Sequence, residues 1–143
     1  MSEQDNVQVA HAQMHAFNAS EQDKWTQARS ADYRADGPGA PGPLDAAQNW
    51  MFLGVFRTAF PDLYLEVTRT IAQGDDVVVH WTATGTHTGP LRTPSGNSVP
   101  ATGRKAVVLG STTYEFKAGK IAHEWAFWDM TSLLGQLGLM PPM

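Results

Sequence analysis

The first third of the chain has the apolar spacing of helices. Residues 5–19 predict an amphipathic helix, because apolar side chains recur there at steps of three and four. Its buried stripe consists of Val7, Ala10, Met14 and Phe17. Ser20 has the form of an N-cap before a second short helix that buries Trp25. Residues 44–60 are apolar nearly all round, which predicts a helix buried on more than one side and ended by Pro61.

The second half of the chain has the alternation of strands. Residues 63–71 predict a strand with one buried face, because apolar and polar side chains alternate there. The buried set is Leu63, Leu65, Val67 and Ile71. Residues 77–88 are rich in β-branched and aromatic side chains and predict a long central strand. Residues 105–116 and 121–128 predict a final hairpin.

Two stretches rich in glycine and proline separate these elements. Residues 36–43 cannot sustain a helix or a ladder, so they predict a surface loop, with a lid as the other interpretation. Residues 89–103 predict a second loop. After the hairpin, Asp129 predicts the cap of a short helix that Gly138 and Pro141 stop. Helices followed by consecutive antiparallel strands indicate the α+β class.

Composition narrows the function further. With 143 residues, of which 42% are hydrophobic, residues 1–143 are expected to form one domain. A formal charge of -4 with dispersed basic residues argues against a nucleic-acid partner. The chain has no cysteine, which excludes disulfides and thiolate chemistry. Its polar N-terminus and the lack of a membrane-length apolar run favour a soluble, cytoplasmic protein.

Six segments, in this order along the chain, are similar to one known family. They are 17–19, 59–63, 81–89, 100–105, 119–121 and 133–138. The chain thereby resembles the SnoaL-like polyketide (ester) cyclases, which belong to the nuclear transport factor 2 and ketosteroid isomerase superfamily. The resemblance implies a cone-shaped, curved antiparallel sheet wrapped around the N-terminal helices and enclosing an apolar pocket. It also implies a small hydrophobic ligand and a homodimer formed through the outer sheet face.

Two positions depart from that family's pattern. The resemblance implies aldol closure by a pocket aspartate assisted by a histidine on the neighbouring strand, with no metal or organic cofactor. Over the last hairpin, the aspartate position falls on Ala126 and the histidine position on Thr112. Neither side chain can take a proton near neutral pH, so the chemistry must come from other residues or be absent.

Glu124 is the leading ionisable candidate for that chemistry. If position 126 faces the pocket, strand alternation sends Ala122, Glu124 and Trp128 the same way. Burial would disfavour the charged form of Glu124 and suit it to acid or base catalysis. The competing interpretation is an ion-paired or wetted carboxylate at the pocket rim.

Three further residues have two interpretations each. His87 could donate a hydrogen bond to a substrate carbonyl or anchor the adjacent loop. Tyr33 and Tyr114 could each offer a phenol to an enolate, or be core residues with satisfied hydroxyls. The catalytic candidates are therefore Glu124, His87 and Tyr114. The substrate-binding candidates are Phe17, Tyr33, Trp50, Trp81, Thr112, Ala126 and Trp128.

Other chemistries have weaker signals. His11 and His15 have a spacing that could share a metal, but no further ligands stand nearby, so a polar helix face is expected instead. Water activation, as in the limonene epoxide hydrolases of the same superfold, needs an Asp-Arg-Asp arrangement. Arginines are present at Arg57, Arg69 and Arg104, but no paired aspartates are evident.

The sequence thus leaves two main hypotheses. The first is a cofactor-independent enzyme that moves a proton on a hydrophobic carbonyl compound, by aldol cyclisation or isomerisation. The second is a ligand-binding or assembly protein that has kept the fold without the chemistry.

Overall fold

A computed structural model describes residues 2–93 and 96–140 of the chain. The helices are α1 Glu3–Asn18, α2 Gln22–Gln27, α3 Ala46–Ala59 and α4 Met130–Gln136. The strands are β1 Arg29–Asp36, β2 Tyr64–Gln73, β3 Asp76–Thr86, β4 Leu91–Arg92, β5 Ser98–Val99, β6 Lys105–Lys117 and β7 Lys120–Trp128. Five of these strands form one sheet in the order β1-β7-β6-β3-β2, and β4 pairs with β5.

Helix α1 follows the predicted apolar stripe but begins earlier than residue 5. Ser2 accepts a hydrogen bond from the backbone N–H of Asp5 at 3.0 Å, and the Asp5 carboxylate accepts one from the Ser2 N–H at 3.2 Å. This reciprocal cap satisfies two donors that a helix start otherwise leaves free. Ala10, Met14 and Phe17 are buried as predicted.

Two details of α2 and α3 differ from the sequence prediction. The N-cap of α2 is Glu21, which makes no side-chain capping bond, and not Ser20, whose φ of 57° is left-handed. In α3, capped by Asp45, Met51 is 76% exposed, so the helix buries one broad side and not its whole circumference. The sequence overstated the burial of α3, because an apolar side chain does not by itself show which side of a helix meets the core.

The sequence did not predict β1. Five of its eight residues are polar or charged, and only Arg29, Tyr33 and Ala35 are buried. The strand runs parallel to β7 at the edge of an otherwise antiparallel sheet. An edge strand buries few side chains, so its period-two signal is weak.

In two strands, a β-bulge reverses which side chains face the core, contrary to the prediction. In β2 the register with β3 shifts between Val67 and Arg69, which turns Ile71 outward, 45% exposed, contrary to the prediction. In β7 the register with β6 shifts next to Ala122, so the fully buried Ile121 faces the core. Ala122 was predicted to face the pocket, but it does not line it. One extra residue in a ladder reverses the facing of everything beyond it.

The helices cover the inner face of the sheet. Ala10 and Met14 of α1 pack in one cluster with Val77, Val79 and Phe116 of the sheet. At the other end, Leu133 of α4 and the C-cap residue Leu137 pack against Phe60, Ala106 and Val108. This arrangement confirms the α+β prediction of a curved, largely antiparallel sheet wrapped around helices.

Glycines allow two close approaches in this core. A Cβ on Gly110 of β6 would lie 2.3 Å from the ring of Trp81, so the indole occupies the space that a side chain would need. A Cβ on Gly89 would lie 2.1 Å from the Thr58 carbonyl oxygen, at the point where the Gly89 N–H bonds to Ala59 at 3.1 Å. The first contact positions Trp81, which lines the cavity described below.

The segments that follow β3 and β7 were also predicted from the sequence. The predicted loop 89–103 contains the short pair β4 and β5. Asp129 caps α4 as predicted, accepting from the Ser132 N–H at 3.0 Å. The predicted stop at Pro141 lies outside the described residues. Within the described ranges, no helix is long and apolar enough to cross a membrane.

Candidate active site

A cavity of about 160 Å³ lies between the inner face of the sheet and the helices. Its wall follows β6, where the inward side chains run from Ala106 and Val108 to Thr112 and Tyr114. The aromatic side chains around it are Phe17, Trp25, Phe52, Phe56, Phe60, Trp81, Tyr114 and Trp128. The cavity is therefore apolar at the Ala106 end and polar at the Tyr114 end.

Glu124 lies at the polar end, directly opposite Tyr114 in the ladder between β7 and β6. Arg29 donates to Glu124 Oε1 through Nη2 at 2.8 Å and Nε at 3.2 Å. The Tyr33 hydroxyl donates to the same oxygen. Every hydrogen bond that the described residues donate to Glu124 therefore ends on Oε1, and Oε2 takes part in none of them.

The ion pair of Arg29 and Glu124 is buried. Their side chains are 1% and 10% exposed. Arg29 also donates to the Trp25 carbonyl and to Gln13 Oε1, both at 2.7 Å, and its guanidinium lies 3.5 Å from the centre of the Trp25 ring. Burial lowers the pKa of Arg29, but the Glu124 carboxylate and the nearby tyrosines raise it by more, so Arg29 stays a cation.

Gln13 and Asn49 extend these contacts on either side of the ion pair. Gln13 Nε2 donates to the Tyr114 hydroxyl at 2.8 Å, and Asn49 Nδ2 donates to the Tyr33 hydroxyl at 2.8 Å. We call this set the polar network; its members are Gln13, Arg29, Tyr33, Asn49, Tyr114 and Glu124. Burial, then the charge of Glu124, raises the pKa of both tyrosines. Both phenols therefore remain neutral hydrogen-bond donors.

The positions that depart from the cyclase pattern are adjacent to the polar network. Thr112 and Ala126 face each other across β6 and β7, and both line the cavity. The Thr112 hydroxyl accepts a hydrogen bond from Trp81 Nε1 at 2.9 Å. Thr112 thus orients the indole, whereas the methyl group of Ala126 leaves space beside Glu124.

Seven of the ten site residues named from the sequence line the cavity. They are Phe17, Trp81, Thr112, Tyr114, Glu124, Ala126 and Trp128. The structure does not bring Tyr33, Trp50 and His87 to the cavity wall among the described residues. Tyr33 is 1% exposed; its hydroxyl donates to Glu124, and its ring packs at 6.3 Å from the Trp25 ring.

Trp50 and His87 lie behind other side chains. Trp50 packs on Trp25, with ring centroids 5.2 Å apart. His87 is fully buried against Phe60 at 5.3 Å, and its Nδ1 accepts a hydrogen bond from the Thr102 N–H at 3.2 Å. This geometry fits the interpretation of His87 as a loop anchor, so we give it no part in the chemistry proposed below.

Sequence reasoning missed three members of the polar network. Gln13 could have been found, because it lies three residues after Ala10 on the stripe that also contains Met14 and Phe17. Arg29 and Asn49 carry no such signal. Arg29 begins the strand that was not predicted, and Asn49 is a polar residue in an apolar helix.

The glycine- and proline-rich segment forms part of the cavity wall. Asp36, Gly37, Pro38 and Ala40 line the cavity. A Cβ on Gly37 would lie 3.6 Å from the Ala126 carbonyl oxygen, so this segment passes close over β7. The Asp36 carboxylate bonds to His123 Nε2 at 2.8 Å, which ties the start of the segment to β7.

Comparisons with known proteins agree with this fold. A family model for SnoaL-like polyketide cyclases matches residues 7–137, and the chain belongs to this family. A search of curated proteins found no significant match.

Solved structures with the same fold include AclR, a candidate hydroxylase from Streptomyces galilaeus. It is 25% identical, with 99% of this chain and 90% of that chain covered and a TM-score of 0.85. IdmH, a candidate polyketide cyclase from Streptomyces antibioticus, is 24% identical over 93% of this chain and 98% of that chain, with a TM-score of 0.79. TerC, co-crystallised with polyporic acid, is 18% identical over 94% of this chain and 98% of that chain, with a TM-score of 0.73.

Proposed function

We propose that this protein is a cofactor-independent enzyme that moves a proton on a hydrophobic carbonyl compound, by aldol cyclisation or isomerisation. One observation carries the proposal. Glu124 lines an aromatic cavity, its Oε1 accepts all three hydrogen bonds from Arg29 and Tyr33, and its Oε2 accepts none from the described residues. A carboxylate fixed through one oxygen keeps the other for a substrate proton.

The proton transfer uses Glu124 and Tyr114 together. Glu124 Oε2 takes a proton from the carbon next to a substrate carbonyl, and the electron pair of that C–H bond forms an enolate. The Tyr114 O–H donates to the enolate oxygen, as a neutral phenol in a buried site can. In an aldol closure the enolate carbon then bonds to a second carbonyl carbon, and the resulting alkoxide recovers the proton from Glu124.

Arg29 limits the electrostatic cost of this transfer. When Glu124 becomes protonated, the negative charge moves to the enolate and stays in the same cavity as the guanidinium. The charge balance of the buried site is therefore the same before and after the step, which keeps the enolate from being an uncompensated buried anion.

A binding protein without catalysis is the second candidate, and the Arg29–Glu124 contact itself favours it. The Glu124 carboxylate is already paired with the Arg29 guanidinium at 2.8 Å, so it has a structural role in the fold that needs no substrate. Ala126 and Thr112, at the aspartate and histidine positions that the family resemblance implies, also favour this candidate. Among similar structures, TerC was crystallised with polyporic acid, a small organic molecule.

Hydrogen–deuterium exchange distinguishes the two candidates. The substrate probe is 1-hydroxy-2-acetonaphthone, a neutral aromatic ketone whose acetyl protons exchange only after enolisation. NMR in deuterated buffer follows the loss of the acetyl signal with and without protein. We expect the protein to accelerate the exchange, and Glu124→Gln to abolish that acceleration.

Two controls make the result interpretable. Tyr114→Phe should retain part of the acceleration, because it removes the enolate donor but not the base. Glu115→Gln changes an exposed carboxylate on the same hairpin and should exchange the ketone like the unmodified protein. If the ketone binds but is not exchanged, or if Glu124→Gln exchanges it equally fast, the enzyme proposal is wrong and the binding function replaces it.

A further inference from the structure

The buried side-chain amide of Gln13 has a single allowed orientation. Arg29 Nη2, which can only donate, lies 2.7 Å from Gln13 Oε1, and the Ala10 carbonyl, which can only accept, lies 2.8 Å from Gln13 Nε2. Exchanging the amide oxygen and nitrogen would set two donors against each other at one end and two acceptors at the other. The Nε2 group therefore acts as a donor to the Tyr114 hydroxyl, which lies 2.8 Å away.

This orientation restricts how the Tyr114 hydroxyl bonds. Its proton cannot point toward Gln13, because the amide nitrogen has no lone pair to accept it. Thr112, which lines the same cavity two residues earlier on β6, also bonds to the Tyr114 hydroxyl. Burial and then the charge of Glu124 raise the pKa of Tyr114. The hydrogen bonds with Gln13 and Thr112 act in the opposite direction, as donors to a phenol oxygen do.

The proton of Tyr114 is consequently left for the cavity. Gln13 and Thr112 occupy the two acceptor positions of the Tyr114 oxygen, so the O–H bond takes the remaining direction. Tyr114 lines the cavity, and no hydrogen bond between the described residues has its hydroxyl as the donor. A buried donor without an acceptor is unfavourable, which suits this O–H to an acceptor on a ligand.

Asn49 makes the corresponding contact with the other tyrosine of the polar network. Asn49 Nδ2 donates to the Tyr33 hydroxyl at 2.8 Å, and the Tyr33 O–H donates to Glu124 Oε1. Here the directed proton has a protein acceptor, whereas the proton of Tyr114 has none among the described residues. Two amides thus act alike on two phenols, and only the phenol next to Gln13 keeps its proton for a ligand.

We propose that Gln13 is a positioning residue, which directs the Tyr114 O–H at a carbonyl or enolate oxygen of the ligand. Arg29 holds the Gln13 amide through Oε1 and also pairs with Glu124. One arginine therefore fixes the proposed base directly and, through Gln13, the direction of the proposed donor. The inference rests on the proposed function for the role of Tyr114 and adds the residue that orients it.

Infrared spectroscopy of a bound ketone tests the direction of the Tyr114 proton. The probe is 2-acetonaphthone, isotopically labelled at its carbonyl carbon, which has one acceptor group and no donor of its own. A carbonyl that accepts a hydrogen bond absorbs at lower wavenumber, so the band should lie lower in the unmodified protein than in Tyr114→Phe. Gln13→Met, which keeps the length of the side chain but removes the amide, should lose most of that shift.

Gln8→Met is the matched control, because Gln8 is an exposed glutamine on the same helix. It should keep the full carbonyl shift. A carbonyl band in Gln13→Met that equals the band in the unmodified protein overturns the proposal. Failure of the ketone to bind the unmodified protein overturns it too, because the Tyr114 donor would then have no ligand carbonyl to meet.

Deuterium exchange of the acetyl protons of the same ketone separates positioning from a general effect on the fold. Gln13→Met should slow the exchange by roughly three- to tenfold, the range expected for one hydrogen bond. In a Tyr114→Phe background the same change should slow it by less than about twofold, because the hydroxyl that Gln13 directs is gone. Equal slowing in both backgrounds would mean that Gln13 acts through Arg29 or the fold, and would overturn the proposal.

Thr112→Val is the second variant if Gln13→Met does not fold. Valine has the shape of threonine and removes the other donor to Tyr114, so Gln13 alone directs the hydroxyl and the carbonyl shift should remain. Loss of the shift would show that Thr112, and not Gln13, sets the direction.

The two readouts also distinguish this inference from the proposed function. The carbonyl shift needs binding but no turnover. A shift that depends on Gln13 without any exchange would retain this inference and refute the enzyme proposal. Exchange that Glu124→Gln abolishes and Gln13→Met leaves unchanged would do the reverse.

Discussion

Breaking the buried ion pair tests whether Arg29 holds Glu124 as described. Arg29→Met keeps much of the apolar volume of the side chain but leaves the Glu124 carboxylate, 10% exposed, without its cation. Removing one partner of a buried pair costs about 3–5 kcal/mol. At roughly 3–4 °C per kcal/mol for a chain of this size, the melting temperature should fall by about 10–20 °C.

A double-mutant cycle separates the pair from the loss of either residue. Arg29→Met with Glu124→Met replaces both charges by apolar groups, which is often neutral or stabilising for a buried pair, so it should recover most of the loss. Arg69→Met, on the exposed side of β2, should change stability by less than about 0.5 kcal/mol. Equal losses in Arg29→Met and Arg69→Met, or additive losses in the double variant, would refute the assigned ion pair.

Two further predictions concern the sheet. Gly110→Ala should lower the free energy of unfolding by about 1–3 kcal/mol in urea titrations, because the new methyl group would lie 2.3 Å from the Trp81 ring. The control is Gly135→Ala in α4, where no atom lies within 4 Å of the new methyl group. It should raise the free energy of unfolding by about 0.5–1 kcal/mol. Equal stability of Gly110→Ala and the unmodified protein would contradict the packing. The homodimer remains a prediction, for which Leu109 and Phe127, 71% and 62% exposed on the outer sheet face, offer an apolar contact surface. Light scattering should therefore give twice the mass of one chain. Leu109→Glu should halve that mass, whereas the control Lys117→Glu should not change it. An unmodified protein that is monomeric at micromolar concentration would refute it.

Local pattern predicted the elements well where one face of an element meets the core. The stripe of α1 and the long central strand β3 were recognisable because their buried positions repeat at the helical or strand period. The ordered family segments added the architecture and the pocket, and they pointed to Glu124, Ala126 and Trp128, which line the cavity on β7. Strand alternation predicts correctly that these three side chains face the cavity, because the pairing of β7 with β6 is regular from Gly110 to Glu115.

Prediction failed where the facing of a residue depends on a distant partner. The bulge near Thr68 turned Ile71 outward, and the one near Ala122 brought Ile121 inward, although neither has a local signature. The same limitation hid β1, because an edge strand with few buried side chains is defined by its pairing with β7.

The sequence by itself determined the class of fold, the family and the presence of a carboxylate on the pocket strand. Only the tertiary structure decided that this carboxylate is ion-paired with Arg29, a residue 95 positions away in the chain. The physical reason is that periodicity reports burial within one element, whereas an ion pair requires two elements to meet in one register. The chemistry of the cavity depends on that meeting of β1 and β7.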